Sequence, residues 1–242
     1  MDMIKFFEKL KGGNIIYYPG CLTKFVLKDV GENYRKILRK IGIDFIELKD
    51  LEVCCGSPTL NAGYREDTQK NAEKNFKIFK EHSVRKIITS CPACFKVFSQ
   101  DYPKILENWD IEVEHISQTI AKAFKEGKLK IKKLNEKITY HDPCHLARYS
   151  KIYEEPREII KVVGNFIEMK FTKENTFCCG GGGGVKSNFP ELSLEISKER
   201  IEQAKEVGGK ILITSCPLCY VCLKEASENK IEVLEFSQIF EI

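Results

Sequence analysis

The sequence lacks any stretch long and apolar enough to cross a membrane as a helix. Nowhere in its 242 residues do about eighteen apolar residues follow one another, and the N-terminal MDMIKFFEKLKGG does not resemble a signal peptide. A strong excess of one charge is also missing, because 39 basic residues stand against 35 acidic ones. We therefore expect a folded cytoplasmic protein without a membrane span and without a nucleic-acid partner.

The sequence also lacks an even number of cysteines. It has eleven, and in a reducing cytosol that odd count argues against a disulfide framework. The segment FCCGGGGGV, from Phe177 to Val185, places two cysteines side by side, and a disulfide between neighbours would close a strained ring. Metal binding is therefore the leading interpretation of these thiols.

The spacing of the cysteines shows that the chain is a repeat. Each half contains a single cysteine, then a Cys-Cys-Gly segment, then a CxxC segment, with intervals of 32 and 35 residues in the first half and 33 and 36 in the second. We predict two domains, residues 1–125 and 126–242, with a lysine-rich linker near residues 122–137. The ten repeated cysteines are Cys21, Cys54, Cys55, Cys91 and Cys94, then Cys144, Cys178, Cys179, Cys216 and Cys219.

Each half alternates short apolar runs with longer helical patterns. This alternation predicts an α/β protein of two Rossmann-like repeats, related by a pseudo-twofold axis, with mostly parallel sheets. Such sheets bind ligands beyond the carboxyl ends of their strands, so the cysteines should collect at two sites there. Strands are predicted at residues 15–18, 44–48, 86–90 and 112–116, and at 138–141, 166–169, 210–214 and 232–236; helices of the first half are predicted near 26–41, 62–82, 92–106 and 117–125.

The CxxC segments TSCPAC and TSCPLC are strong signals for metal ligands. Pro92 and Pro217 fit the first position of a helix, which places Cys91 and Cys216 at the N-cap. The helix dipole there favours the thiolate, the form that binds metal. Structural zinc takes four ligands, whereas each half offers five thiols, two of them adjacent, which suits a multinuclear iron–sulfur cluster better. The ordinary ferredoxin run of cysteines is absent, and zinc at one site is the alternative.

Glycines beside the cysteine pairs are candidate cofactor-binding residues. Gly56 and Gly180 follow the pairs in both halves and can turn the backbone so that N–H groups face sulfur. Gly181 and Gly182 belong to a run that continues to Gly184 and has no counterpart in the first half. That run either opens space for a substrate or forms a mobile loop.

Two histidines and two basic residues lie close to the single cysteines. His141 and His145 bracket Cys144. Either His141 hydrogen-bonds to backbone at a strand end and His145 caps a turn, or the two supply protons as catalytic groups, which histidine can do near neutral pH. Lys24 and Arg148 follow the single cysteines and are candidates for holding an anionic substrate group, or else face solvent.

Two further residues receive simpler interpretations. Cys222 has no counterpart in the first half, where Val97 takes the matching place, so we predict a buried thiol and not a ligand. Asp142 precedes Pro143 and is expected to form a turn.

The two copies of the pattern C-x(31–39)-C-C-x(35–36)-C-x-x-C, with glycine directly after each cysteine pair, resemble the CCG-domain, or cysteine-rich, family over nearly the whole chain. The sequence resembles in particular the B-type subunits of heterodisulfide reductase and the C-terminal half of its D-type subunits, as TYHDPCHLARYSKIYEEPREI followed by CCGGGGGV shows. The resemblance implies that each group of five cysteines binds one noncubane [4Fe-4S] cluster.

The same resemblance implies an oxidoreductase, the iron–sulfur subunit of a heterodisulfide reductase-like complex that reduces a small-molecule disulfide. Because the D-type subunits carry a ferredoxin domain ahead of their repeats and none is seen here, we expect electrons from a ferredoxin-like or flavin-containing partner subunit. One alternative is the electron-transfer iron–sulfur subunit of a flavin-dependent lactate or glycolate dehydrogenase complex. Another is a non-enzymatic assembly module that carries zinc.

Overall fold

Two parallel sheets form the framework of the computed structural model, which describes residues 12–242. The first sheet has the order β1 (Asn14–Tyr18), β2 (Val84–Thr89), β3 (Glu112–His115). The second contains β4 (Lys137–His141), β5 (Asn165–Phe166), β6 (Ile211–Thr214) and β7 (Glu232–Glu235), in the order β5-β4-β6-β7. All of the paired strands run parallel. The predicted class, α/β with two repeats and parallel sheets, is confirmed.

One predicted strand is reduced to a single bridge. Within residues 44–48 only Ile46 pairs with the first sheet: its N–H donates to Ile15 O at 2.9 Å, and Tyr17 N–H donates to Ile46 O at 3.0 Å. This bridge occupies the place beside β1 that β5 occupies beside β4. The strand order therefore reverses between β1 and β2 in the first half and between β4 and β6 in the second. Ligands of open parallel sheets bind at such a reversal.

The crossover segments between the strands are largely helical. The helix that the sequence predicts near residues 62–82 is observed as one helix, Arg65–Glu81, and a separate short helix, Ser57–Asn61, precedes it. The helix predicted near 26–41 begins at Lys28. The helices of the described residues are α1 (Cys21–Phe25), α2 (Lys28–Lys40), α3 (Ser57–Asn61), α4 (Arg65–Glu81), α5 (Pro92–Lys96), α6 (Tyr102–Ile105), α7 (Ile116–Lys125), α8 (Cys144–Ala147), α9 (Glu154–Val163), α10 (Val185–Asn188), α11 (Pro190–Glu206) and α12 (Pro217–Ser227).

A π-helical turn, Val97–Asp101, joins α5 to α6 within the helix predicted at residues 92–106. Pro103 follows this turn, and its ring nitrogen has no hydrogen to donate to a carbonyl one turn back. The helix continues through a locally wider π turn instead of ending before the proline.

One buried hydrophobic cluster spans both halves. Tyr17 of the first half packs in the same buried cluster as Tyr140 and Phe236 of the second. Across this core the hydroxyl of Tyr34 donates to Glu235 Oε1 at 2.5 Å. The repeats are thus packed together, which fixes their cysteine-bearing edges relative to each other.

Two predictions concern the limits of the chain and of its halves. Within residues 12–242 no helix has the length and apolar character needed to cross a bilayer. The division into domains 1–125 and 126–242 stays a prediction, and α7 ends at Lys125, beside that boundary. Residues 1–11, which include most of the N-terminal stretch considered above, lie outside the described residues.

Candidate metal centres

A single cysteine begins the helix that follows the first strand of each half. Cys21 starts α1 after β1, and Cys144 starts α8 after β4. Gly20, just before Cys21, has φ +79°, and a Cβ placed there would lie 2.9 Å from Cys91 Cβ. Only glycine lets the chain pass this close to the CxxC segment in this conformation.

The CxxC segments begin helices after β2 in the first half and after β6 in the second. Cys91 and Cys216 are the N-caps of α5 and α12, and Pro92 and Pro217 occupy the first helical positions. The sequence-based prediction for these caps is therefore confirmed. Backbone N–H groups of the first turn lie near both sulfurs, which favours the thiolate.

The cysteine pairs lie on loops, each closed by a glycine with a left-handed backbone. Gly56 (φ +87°) donates its N–H to Cys54 Sγ at 3.4 Å, and Gly180 (φ +79°) donates to Cys178 Sγ at 3.3 Å. The turn that these glycines make is the one that the sequence indicated. Their contact with a bound cofactor stays a prediction.

The structure brings the five predicted cysteines of the first half together. Cys94 donates to Cys55 Sγ at 3.1 Å, and Cys54 also donates to Cys55. These two hydrogen bonds lower the pKa of Cys55. The thiol of Cys91 forms a hydrogen bond with the thiol of Cys94. Burial raises the pKa of Cys21, and the charges of Cys91 and Cys55 raise it further.

The second half brings its five cysteines together in the same way. Hydrogen bonds from Cys144 and Cys179 lower the pKa of Cys178. Hydrogen bonds from Cys179 and Cys216 lower the pKa of Cys219. Two groups of five sulfurs, here called the first and the second thiol group, therefore lie at the switch points of the two sheets.

The two thiol groups differ in their exposure. In the first group Cys21 and Cys54 are exposed to solvent. In the second group none of the five cysteines is exposed, and Cys179, Cys216 and Cys219 are buried. The first group is therefore open at the surface, whereas the second is more deeply buried, with only Cys144 and Cys178 partly accessible.

The two thiol groups lie close to the contact between the two halves. Helix α5 packs against α8, and α12 packs against α1, so each CxxC helix contacts the helix that carries the single cysteine of the other half. The pKa of Cys216 is raised by its hydrogen bond with Cys219, by burial and, more weakly, by the charge of Cys91. Thiols of the two halves are thus close enough to interact electrostatically.

Two basic side chains hold the loops that lead to the cysteine pairs. Arg148 donates from Nε to Glu174 O at 3.0 Å and from Nη2 to Thr176 O at 2.5 Å. Lys24 donates to Lys49 O in the corresponding loop of the first half. The sequence did not reveal this anchoring role, and the binding of an anionic group by either residue stays a prediction.

His141, on the last residue of β4, belongs to the second thiol group. Its Nδ1 accepts a hydrogen bond from Arg200 Nε at 3.1 Å. A guanidinium only donates, so Nδ1 carries no proton and the neutral ring has its hydrogen on Nε2. One of its ring nitrogens and the sulfurs of Cys179 and Cys219 lie within 4.8 Å of one another. A proton-supplying role for His141 stays a prediction.

His145 lies one residue beyond the single cysteine of the second half. Its Nδ1 is 3.5 Å from Cys144 Sγ, and its ring packs against Tyr149. Burial lowers its pKa, and the charges of Cys219 and Cys178 oppose this effect. The side chain therefore lies beside the second thiol group, while its role as a catalytic group stays a prediction.

Asp142 does more than form the expected turn. Its carboxylate accepts two hydrogen bonds of 2.6 Å from Arg157, and both side chains are 1% exposed. It also accepts from Lys173 N–H at 2.9 Å, and its carbonyl accepts from Thr176 Oγ1 at 3.0 Å. This buried ion pair fixes the loop before Cys178, and nothing in the sequence indicated that Arg157 would be its partner.

The glycine run is tightly packed at one position and open at the next. A Cβ on Gly181 would lie 2.7 Å from Cys222 Sγ and 3.0 Å from Leu218 Cγ. A Cβ on Gly182 would meet nothing within 4 Å. The packed part of the run therefore supports the second thiol group, and its use as a substrate path stays a prediction.

Cys222 is 1% exposed, as expected of a buried thiol. It lies on α12, one turn beyond Cys219, and its thiol donates to or accepts from Cys179. The sequence did not indicate this contact with a predicted ligand. That Cys222 itself binds no metal stays a prediction.

Comparisons with known proteins agree with the duplicated arrangement. The profile of the CCG cysteine-rich domain matches residues 15–99 and again 138–224. The chain is 34% identical over 213 residues to the D-type subunit of the dihydromethanophenazine:CoB–CoM heterodisulfide reductase of Methanosarcina acetivorans, covering 85% of this chain and 52% of that protein. It is 35% identical over 230 residues to an uncharacterized iron–sulfur protein of Methanocaldococcus jannaschii, covering 93% and 44%. The chain spans about half the length of these curated relatives.

A solved structure shares the fold. The crystal structure of a hypothetical protein from Helicobacter pylori superposes with a TM-score of 0.64 and 12% sequence identity, over 94% of this chain and 48% of that one. At this identity the likeness concerns the fold alone.

Proposed function

The chain belongs to the CCG cysteine-rich domain family, and from this membership we propose that it is the iron–sulfur part of a heterodisulfide reductase-like oxidoreductase. We propose further that each thiol group binds one noncubane [4Fe-4S] cluster and that the pair of clusters reduces a small-molecule disulfide. The observation that carries this proposal is the gathering of five cysteines, linked by hydrogen bonds and by their electrostatic effects on one another, at each of two sheet switch points whose helices are in contact.

The chemistry of the thiol groups supports a multinuclear metal group. Five neighbouring thiols cannot all become thiolates side by side unless bound cations offset their charge. The adjacent pairs Cys54-Cys55 and Cys178-Cys179 suit two metal ions or one bridging sulfur better than two corners of one tetrahedron. N–H groups of Gly56 and Gly180 already donate to sulfur, and such contacts stabilise iron–sulfur clusters in proteins.

When bound, the clusters would supply the two electrons that split a disulfide, which becomes two thiols after taking up two protons. The chain's own residues position that chemistry. Arg148 and Lys24 hold the loops before the cysteine pairs, and α5, α8, α1 and α12 hold the two sites side by side. A disulfide has two sulfurs and can therefore approach both sites.

Of the two histidines, His145 is the better placed to deliver a proton. Its Nδ1 is next to Cys144 Sγ, and its side chain is only partly buried. His141 is 1% exposed and its Nδ1 is occupied by Arg200. We therefore assign proton delivery to His145 and the orientation of Cys219 to His141.

The exposed residues Cys21 and Cys54 mark the place where we propose that electrons enter. A ferredoxin-like or flavin-containing partner can approach the first thiol group without any rearrangement of the chain. The same exposure favours a second candidate, in which the chain only transfers electrons within a flavin-dependent hydroxyacid dehydrogenase complex.

Disulfide-dependent oxidation of a reduced viologen dye tests the proposal without any partner protein. The chain, reconstituted anaerobically with iron and sulfide, is expected to oxidise two dye molecules and release two thiols for each heterodisulfide consumed. Cys179→Ser, which removes a proposed ligand of the second cluster, should reduce this rate to the background of the cluster-free chain. Dye oxidation that is independent of the disulfide, in a chain with full iron content, would overturn disulfide reduction and favour the electron-transfer candidate.

A further inference from the structure

Arg200 on α11 is a buried cation without a carboxylate partner. Its side chain is fully buried, Nη1 donates to Gln203 Oε1 at 2.8 Å, and Nη2 has no hydrogen-bond partner among residues 12–242. No carboxylate of that part of the chain forms an ion pair with it, and Asp142, the acid that acts most strongly on its pKa, is bound to Arg157. Such a charge is costly to bury unless an opposite charge compensates it.

The second thiol group can supply the negative charge that compensates Arg200. Burial lowers the pKa of Arg200 to about 10, so the guanidinium stays charged at neutral pH. The charges of Cys219 and Cys179 act on it in the opposite direction. Through Nε it also holds the imidazole of His141, which lies within 4.8 Å of both sulfurs. The guanidinium of Arg200 is therefore hydrogen-bonded to an imidazole that lies next to the sulfurs of Cys179 and Cys219.

The equivalent position beside the first thiol group carries no charge. The offset of 125 residues that relates Cys91 to Cys216 also relates Asn75 to Arg200. Asn75 is buried and neutral, and its Nδ2 donates to Cys54 O at 3.1 Å and to Tyr102 Oη at 3.0 Å. The two repeats thus place different charges at equivalent positions.

Tyr18 strengthens this difference. It ends β1 as His141 ends β4, and its hydroxyl donates to Val53 O at 2.6 Å. The first thiol group is therefore backed by a phenol and an amide, whereas the second is backed by an imidazole and a guanidinium.

We propose that Arg200 makes the centre at the second thiol group the easier of the two to reduce, so that electrons entering at the open first group collect at the second. Each step moves one electron: the first centre is oxidised and the second is reduced, and the electron-donating partner replaces the electron. Reduction adds negative charge, which a nearby buried cation stabilises strongly in a low dielectric. The inference rests on the proposed function, since it requires a cluster at each group.

Redox titration of single-centre variants tests this inference. Cys55→Ser is expected to leave only the second centre and Cys179→Ser only the first, each with about four irons per chain. In the Cys55→Ser chain, Arg200→Gln should lower the ratio of reduced to oxidised centre at a fixed potential at least tenfold, a shift of about 59 mV. In the Cys179→Ser chain the same change should shift nothing, and in the Cys55→Ser chain Arg200→Lys should restore the potential.

A second measurement needs no change at Arg200. The Cys55→Ser chain should become reduced at a higher potential than the Cys179→Ser chain, by the same margin. Equal potentials, or the reverse order, would overturn the inference, as would an equal effect of Arg200→Gln in both chains. Absence of iron from both chains and from the unmodified protein would instead overturn the proposed function.

Discussion

Replacing Asp142 by asparagine is expected to destabilise the chain by about 3–5 kcal/mol, because the buried guanidinium of Arg157 loses its charged partner. The new amide N–H₂ would also face donors, since Arg157 and the N–H of Lys173 both donate to this carboxylate. For a chain of this size such a loss should lower the thermal unfolding midpoint by at least about 6 °C. The loop before Cys178 should loosen at the same time.

The matched control for this prediction is Glu168→Gln. Glu168 pairs with the same guanidinium at 2.7 Å, but its side chain is 40% exposed, so its loss should cost at most about 1 kcal/mol. Midpoints measured under anaerobic conditions on both variants compare a buried and a solvated partner of one arginine. Equal midpoints for Asp142→Asn and the unmodified protein would show that the buried pair does not hold this loop.

Replacing Gly180 by alanine is expected to damage the second site while leaving the first intact. Its backbone has φ +79°, which costs an alanine about 1–2 kcal/mol, and the new Cβ would lie 2.5 Å from the backbone oxygen of Ser193. A clash with backbone cannot be relieved by a rotamer change and adds about 1–3 kcal/mol. Iron bound by the second thiol group should therefore be lost, and total iron should fall by about half.

Alanine substitutions at two other glycines should have smaller effects on iron content. Gly56 is the counterpart in the first half, but the atom nearest to a Cβ there would be the side-chain Cγ2 of Thr68 at 3.2 Å, so Gly56→Ala should be milder. Gly182→Ala places its Cβ in open space and should leave both stability and iron content unchanged. A loss of iron in Gly182→Ala as large as that in Gly180→Ala would contradict the packing argument.

Much of the fold could be predicted because the same sequence pattern occurs in both halves. Cys91 and Cys216 are helix N-caps in both copies, where the following proline fixes the start of a helix. Residues 44–48 form only a bridge at Ile46, because pairing at the edge of a sheet depends on tertiary contacts that periodicity does not contain. The short β5 strand, Asn165–Phe166, lies at the equivalent edge and ends earlier than its apolar run predicted.

The candidate sites were predictable in their cysteines, in the glycine turns beside them and in the nearby histidines, but not in their other buried partners. The buried partners of those sites come from distant parts of the chain, and their sequence context looks like that of solvated residues. Arg200 lies in the charged segment SKERIEQAKE, yet its side chain is fully buried against His141. Arg157 likewise looks like a surface residue of a helix but pairs with Asp142 in the interior. Such long-range pairs follow from the packing of α9 and α11 on the second sheet, which no local pattern encodes.

Metal and sulfide analysis of the anaerobically reconstituted chain tests most directly the claim that the two thiol groups bind two iron–sulfur clusters. We predict about eight irons and a matching amount of acid-labile sulfide per chain, falling to about half in Cys179→Ser. One zinc beside about four irons would restrict the cluster to one half. Zinc alone, without acid-labile sulfide, would contradict the account.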